Sequence, residues 1–108
     1  MFVLVRAIKT IMIVDDETSV IEKVKSFLGD NELDIISANN SRQALEIIQT
    51  RKNLDLILID TLMPGTKKSA LYSTKPNSKL SSIEGNTFLQ KPFTKDQLIN
   101  FIRKNIDK

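Results

Sequence analysis

The run Leu56-Ile57-Leu58-Ile59 constrains this chain more than any other stretch: four consecutive aliphatic residues, preceded by Asp55 and followed at a short distance by the turn-forming Met63-Pro64-Gly65. A run without alternation leaves no side chain for solvent. It therefore reads as a short strand buried on both faces, the habit of parallel sheets whose crossovers put helices on either side. Asp60 stands at its carboxyl end. In an open α/β sheet ligands bind outside the carboxyl ends of the strands, so a carboxylate leaving an apolar strand there is in the right place for chemistry. Taken alone, such an Asp more often just caps a loop.

Other segments supply the rest of a sheet. Ile11-Met12-Ile13-Val14 is a second apolar run, and it ends in Asp15, Asp16 and Glu17. Val20, Ile21, Val24, Phe27 and Leu28 then recur at helical spacing, with Gly29 as the C-terminal cap. Leu33 to Ala38 supplies a strand, and Asn40 or Ser41 can cap a helix carrying Ala44, Leu45, Ile47 and Ile48. The order β-α-β-α-β implies right-handed crossovers and a doubly wound sheet. Near the other end Thr87-Phe88-Leu89-Gln90 reads as a short strand running into Lys91-Pro92-Phe93. Thr94 to Gln97 has the spacing of a capping box, with Phe93 as hydrophobic staple, and opens a last helix with the stripe Leu98, Ile99, Ile102 and Ile106.

Composition narrows the functions open to such a chain. With 108 residues, 41% hydrophobic and 27% charged, the expectation is one domain spanning 1–108, with residues 1–9 as an N-terminal extension that either lengthens the first strand or lies on the surface. A chain of this size acts through a partner. The absence of Cys and His rules out disulfides, thiolate metal sites and imidazole catalysis. The net charge of +3 is densest at Lys67, Lys68, Lys75 and Lys79, which reads as solvated surface rather than a nucleic-acid patch. Phe2 to Val5 is too short for a signal-peptide core or a membrane span, so no membrane association and a cytoplasmic location are expected.

Consecutive strands of a parallel sheet end on one edge, so Asp15, Asp16, Asp60 and Lys91 should meet there. Three carboxylates in one pocket repel each other, and a hard cation with oxygen ligands relieves this; Mg²⁺, which keeps several waters, suits so few carboxylates better than Ca²⁺. A carboxylate in such a site can attack phosphorus and form an aspartyl phosphate, while metal and ammonium neutralise the equatorial oxygens.

These residues resemble the CheY-like receiver domain of two-component response regulators. Val14-Asp15-Asp16-Glu17 looks like its acidic pair, Ile59 to Gly65 its phosphoacceptor turn, and Gln90-Lys91-Pro92-Phe93 its Lys-Pro signature. The resemblance implies a flavodoxin-like, doubly wound, parallel five-stranded sheet of order 2-1-3-4-5. It implies that Asp60 accepts a phosphoryl group from a histidine kinase, that Asp15, Asp16, Asp60 and the Leu62 carbonyl hold Mg²⁺, that Lys91 pairs with the phosphoryl group, and that the Lys91–Pro92 peptide is cis. Phe88 matches an aromatic that rotates on activation, and reads equally well as a core aromatic.

The span between Pro64 and Lys91 is about one helix with its loops too short for the family pattern. Ser69 to Thr74 reads as the fourth strand, so the third helix is missing and Lys75 to Gly85 holds a short fourth one anchored by Leu80 and Ile83. Ser73, or Thr74 if the register shifts by one, would then be the switch hydroxyl, unless the pair simply starts a turn before Pro76. Loss of a middle helix should uncover Ile57, Ile59 or Leu71, to be covered by residues 66–84 folded back as a loop, by a homodimer, or by another protein.

Two functions remain open. One is a stand-alone receiver that takes a phosphoryl group, loses it by slow self-catalysed hydrolysis, and signals to a downstream protein. The other is a degenerate receiver acting as a constitutive interaction module. A haloacid-dehalogenase-type phosphatase is set aside, because it needs an Asp two residues after the nucleophile, where Leu62 stands.

Overall fold

The structure, a computed structural model, describes residues 8–29, 33–76 and 87–107. Along the chain run β1 (Lys9–Val14), α1 (Thr18–Leu28), β2 (Leu33–Ala38), α2 (Ser41–Thr50), β3 (Leu56–Leu62), β4 (Ser69–Thr74), β5 (Phe88–Gln90) and α3 (Lys95–Ile106). The five strands form one sheet in the order β2-β1-β3-β4-β5. The expected segment Lys75 to Gly85, with its short helix, lies mostly outside the described residues.

The sheet is mixed, not wholly parallel. β1 is parallel to β2 and β3, but β4 is antiparallel to β3 and to β5. The cause is local. A parallel crossover needs a dozen or more residues, whereas only Met63 to Lys68 join β3 to β4. Those six residues close a hairpin: Pro64 and Gly65 occupy the middle of the turn, Gly65 takes φ 73°, and Thr66 N donates to Met63 O at 3.1 Å. Pro before a positive-φ Gly is the chemistry of a type II turn. The Thr66 hydroxyl donates to Met63 O at 2.9 Å and accepts from Lys68 N at 3.1 Å. No helix separates β3 from β4, as expected. β5 then reverses direction again and runs parallel to β3, so Lys91 still arrives at the carboxyl edge of β1 and β3.

Two apolar layers sandwich the sheet. On one face Ile11, Ile13, Leu56, Leu58 and Leu71 pack against Ile21, Val24 and Leu28 of α1 and Leu98, Phe101 and Ile102 of α3. On the other, Met12, Val14, Ala38, Leu54 and Ile57 pack with Ala44 of α2, and Ile36, Ile47, Ile48 and Ile59 join them half-buried. Removal of each aliphatic side chain from water contributes about 1.5 to 3 kcal/mol, so the larger first layer holds most of the cohesion.

Leu71 was expected on the uncovered face, but it is fully buried under α1 and α3. The hairpin register pairs it with Asp60, on the same side as Leu56 and Leu58. What the α2 face presents is a row of Ile59, Tyr72 and Phe88 across β3, β4 and β5, with the two rings 5.1 Å apart. A groove of about 350 Å³ runs between α2 and the sheet, lined by Met12, Val14, Ile57, Ile59, Thr74 and Pro76 among others. Residues 66–68 complete the turn and Ser69–Thr74 form β4, while residues 77–84 of the expected cover lie outside the described residues.

The helix ends follow their caps. Asn40 accepts Gln43 N at 2.9 Å at the start of α2, and the Thr94–Gln97 capping box closes both ways at the start of α3. Gly29 ends α1 in right-handed conformation, φ −56°, and not as the left-handed cap its identity suggests.

Candidate phosphoacceptor site

Asp15 follows the last residue of β1, where its backbone N donates to Ala38 O at 3.1 Å and so is fixed by the end of β2. Its side chain is fully buried, yet both oxygens are used. One accepts Glu17 N at 2.9 Å, which ties the carboxylate to the start of α1, and the other accepts Lys91 Nζ at 3.0 Å. A buried carboxylate is tolerated only when paired and hydrogen-bonded, and Asp15 meets both conditions. Asp60 lies inside β3 rather than at its end, because pairing with β4 carries the strand on to Leu62. Its carboxylate accepts Lys91 Nζ at 2.6 Å and is 31% exposed. Asp16 is exposed at the rim.

One ammonium thus bridges two carboxylates. Burial alone pulls the Lys91 pKa down, but hydrogen bonds to Asp60 and Asp15 and the charges of both acids outweigh it, so the pKa lies above the ordinary lysine value. Oxygens of Asp15, Asp16 and Asp60 all lie within 4.8 Å of one another. Three carboxylates against one ammonium leave a net negative, all-oxygen pocket, and such a donor set fits a hard divalent cation.

Met63 N donates to Lys68 O at 3.0 Å, which makes Met63–Lys68 a hydrogen-bonded pair of the hairpin. Since such pairs alternate along an antiparallel ladder, Leu62 and Ser69 form a non-hydrogen-bonded pair, and the Leu62 peptide groups turn away from β4 toward the β1 side. The Lys91–Pro92 peptide is cis, as the resemblance implies.

Ser73 and Thr74 lie on the amino-terminal side of Asp60, away from the edge where Asp15 and Asp16 emerge. The reversal of β4 points its carboxyl end toward the amino end of β3, where Ser73 pairs with Leu58 and Thr74 with Ile57. Ser73 is buried there. What is corrected is the parallel β4 on which the expected switch hydroxyl was placed: the short turn forbids it, and Ser73 does not stand at the carboxyl edge of the sheet. Phe88 lies on the α2 face against Tyr72, half-buried.

A cluster the sequence reading did not single out adjoins Lys91. Phe27 and Phe93 meet edge to face with centroids 6.4 Å apart, and the Lys23 ammonium lies 5.5 and 5.4 Å from them. Phe93 and Lys23, with Val20 and Pro92, border a hollow of about 260 Å³ that opens beside Lys91. Its signal in the sequence was the placement of Phe27 on the helical stripe and of Phe93 as staple, which a reading for acids passes over.

Sheet order, acidic cluster and lysine are those of a receiver domain, and residues 11–73 match the response regulator receiver domain family. The chain belongs to that family. Among curated relatives, it is 43% identical over 58 residues to the phosphate regulon transcriptional regulatory protein PhoB of Pseudomonas aeruginosa. That match covers 54% of this chain and 25% of the relative, so the chain spans about a quarter of the length of the protein it matches. No solved structure matches the chain. No helix among the described residues is long and apolar enough to cross a membrane.

Proposed function

We infer that this chain is a phosphoryl-accepting receiver: Asp60 takes a phosphoryl group from a histidine kinase, and the phosphorylated form signals to a downstream protein. The observation that carries this reading is the closure of Asp15, Asp16 and Asp60 to within 4.8 Å with Lys91 bonded to the first and third. A simple structural ion pair needs only two of these four groups.

In the step itself an oxygen of the Asp60 carboxylate forms a bond to phosphorus as the bond from phosphorus to the donor's imidazole nitrogen breaks. The departing nitrogen keeps the electron pair and takes a proton from water. Lys91 is hydrogen-bonded to Asp60 beforehand and follows the negative charge onto the phosphoryl oxygens. Asp15, Asp16, Asp60 and the Leu62 carbonyl are the groups that would hold Mg²⁺, which when bound supplies neutralisation of charge on the transferred group. Asp15 would anchor this set, since its orientation is fixed by the bond from Glu17 N. The same groups serve the reverse loss of phosphate to water, so the chain is a self-phosphorylating and slowly self-dephosphorylating acceptor.

One observation favours the alternative, a constitutive interaction module. The antiparallel β4 sets Ser73 and Thr74 beside Leu58 and Ile57, on the amino-terminal side of Asp60, and leaves no helix between β3 and β4, which alters how phosphorylation could be transmitted. Incubation with acetyl phosphate and Mg²⁺ followed by intact-mass spectrometry separates the two. One phosphoryl group, stable in acid and labile in base, is expected on the native chain and none on Asp60→Asn. An unlabelled native chain would leave the interaction module as the function, and a label surviving in the variant would refute Asp60 as acceptor.

A further inference from the structure

The α2 side of the sheet has room for one more helix. Neighbouring strands lie about 4.8 Å apart and packed helices about 8 to 10 Å, so a five-stranded sheet takes two helices on each face. α1 and α3 fill one face. On the other, α2 packs on Met12, Val14, Ala38, Leu54 and Ile57, over β2, β1 and the beginning of β3. Among the described residues no helix follows over β4 and β5, because a short turn stands where a crossover would be. We propose that this place receives an amphipathic helix of a partner protein, with an apolar stripe flanked by acids; the proposal does not depend on phosphorylation of Asp60.

The floor of the site is uncharged. Residues opposite each other on neighbouring strands share a face, so Ile59, Tyr72 and Phe88 form one row and Thr61, Ala70 and Gln90 the next. The groove of about 350 Å³ lies between this floor and α2, with Ser41, Leu45 and Ile48 on its helical wall. Leu45 stands 58% exposed on the lip, although the rest of that wall is turned toward the sheet. An open leucine beside an apolar groove suits a helix that docks through anchors at i, i+3 or i+4 and i+7.

The border selects the charge of the partner. Lys67 and Lys68 are exposed on the β3–β4 turn. Lys68 pairs with Met63 across the turn and stands two positions before Ala70, so it belongs to the α2 side. α2 adds Arg42, one turn before Leu45, and the single acid of that helix, Glu46, already faces Arg42 at 3.7 Å. A basic border around an uncharged floor is complementary to acids flanking an apolar stripe. A second copy of this chain lacks such a helix. None of α1, α2 and α3 carries more acids than bases, and two α2 faces brought together would set Arg42 and Lys68 against further cations.

The test measures fluorescence anisotropy of a labelled peptide against the full chain. The probe is a synthetic helix of about 18 residues with leucines at i, i+3 or i+4 and i+7 and glutamates on either side of them. One control has lysine for each glutamate, and another has the same composition in an order without a stripe. At low salt the acidic peptide is expected to bind at least about tenfold more tightly than either control, and its advantage over the lysine peptide should shrink as salt is raised. Leu45→Gln should weaken binding about tenfold and Lys68→Gln about two- to fivefold, both at exposed side chains. Lys104→Gln removes the same charge from the exposed side of α3, across the sheet, and should leave binding unchanged. No preference for the acidic peptide over its reordered form, or native affinity in Leu45→Gln, would overturn the docking site, as it would if the chain covers this face itself. Equal affinity for the acidic and lysine peptides would overturn the acidic partner. A dimer in sedimentation that Leu45→Gln dissociates would overturn the proposal in favour of a second copy.

Discussion

Replacing Lys91 by Met keeps the length of the side chain and removes its charge, which isolates the ammonium bridge between Asp15 and Asp60. Asp15 has a fully buried side chain with two partners, Glu17 N and Lys91 Nζ, and the variant leaves it with one. Stripping one partner from a buried pair costs about 3 to 5 kcal/mol, whereas exposed pairs are worth about 0 to 1. Here Lys91 is 17% exposed and Asp60 31%, and the Glu17 bond survives, so the expected loss at neutral pH is roughly 2 to 3 kcal/mol. Urea denaturation of the native chain, Lys91→Met, Asp15→Asn and the double variant reads this as a cycle, with the double variant less damaged than the sum of the singles. The pH dependence has a defined sign. The Lys91 pKa is raised in the folded chain, so its stabilisation is fully present below the unfolded value near 10.4 and is lost as pH rises through the higher folded value. The gap between native chain and Lys91→Met should therefore hold steady from neutral pH to about 10 and shrink above it. A loss below about 0.5 kcal/mol, or additivity in the cycle, would show that Asp15 does not depend on Lys91.

Gly65→Ala should destabilise the chain by about 1 kcal/mol in the same denaturation assay: φ of 73° penalises a Cβ, and nothing within 4 Å would otherwise clash with it. Thr94→Ala breaks the capping box of α3 and should cost about 1 kcal/mol, with Thr94→Ser retaining most of it. Mg²⁺ at a hundred times its dissociation constant should stabilise the native chain by about 2.7 kcal/mol, and Asp15→Asn should abolish that gain as read from thermal unfolding.

Much of the fold was legible because it is written locally. The apolar runs at Ile11–Val14 and Leu56–Ile59, the helical stripes and the Thr94–Gln97 box each fix an element from neighbouring residues alone, and the order 2-1-3-4-5 follows once the motifs are recognised. The acids and Lys91 could be assigned to one edge because strand direction fixes where a strand's last residue goes. Lys91 reaches that edge through two reversals that cancel, whereas Ser73 and Thr74 follow only one and lie on the amino-terminal side of Asp60.

Strand direction at β4 depends on the length of a turn measured against the distance a crossover must span. Met63-Pro64-Gly65-Thr66 carries that information as a turn signal, at odds with the parallel pattern that the resemblance implies. Register was the other quantity that only tertiary structure decided. A shift of one residue exchanges the two faces of a strand, so which of Leu71 and Tyr72 enters the α1–α3 core depends on pairing with Asp60 and Ile59, residues far from the strand's own sequence. The sequence by itself therefore determined the elements, their order and the acid–lysine chemistry, because those depend on residue type and nearest neighbours. The direction of β4 and the face each of its side chains occupies were decided by closure of the hairpin and by cross-strand hydrogen bonding.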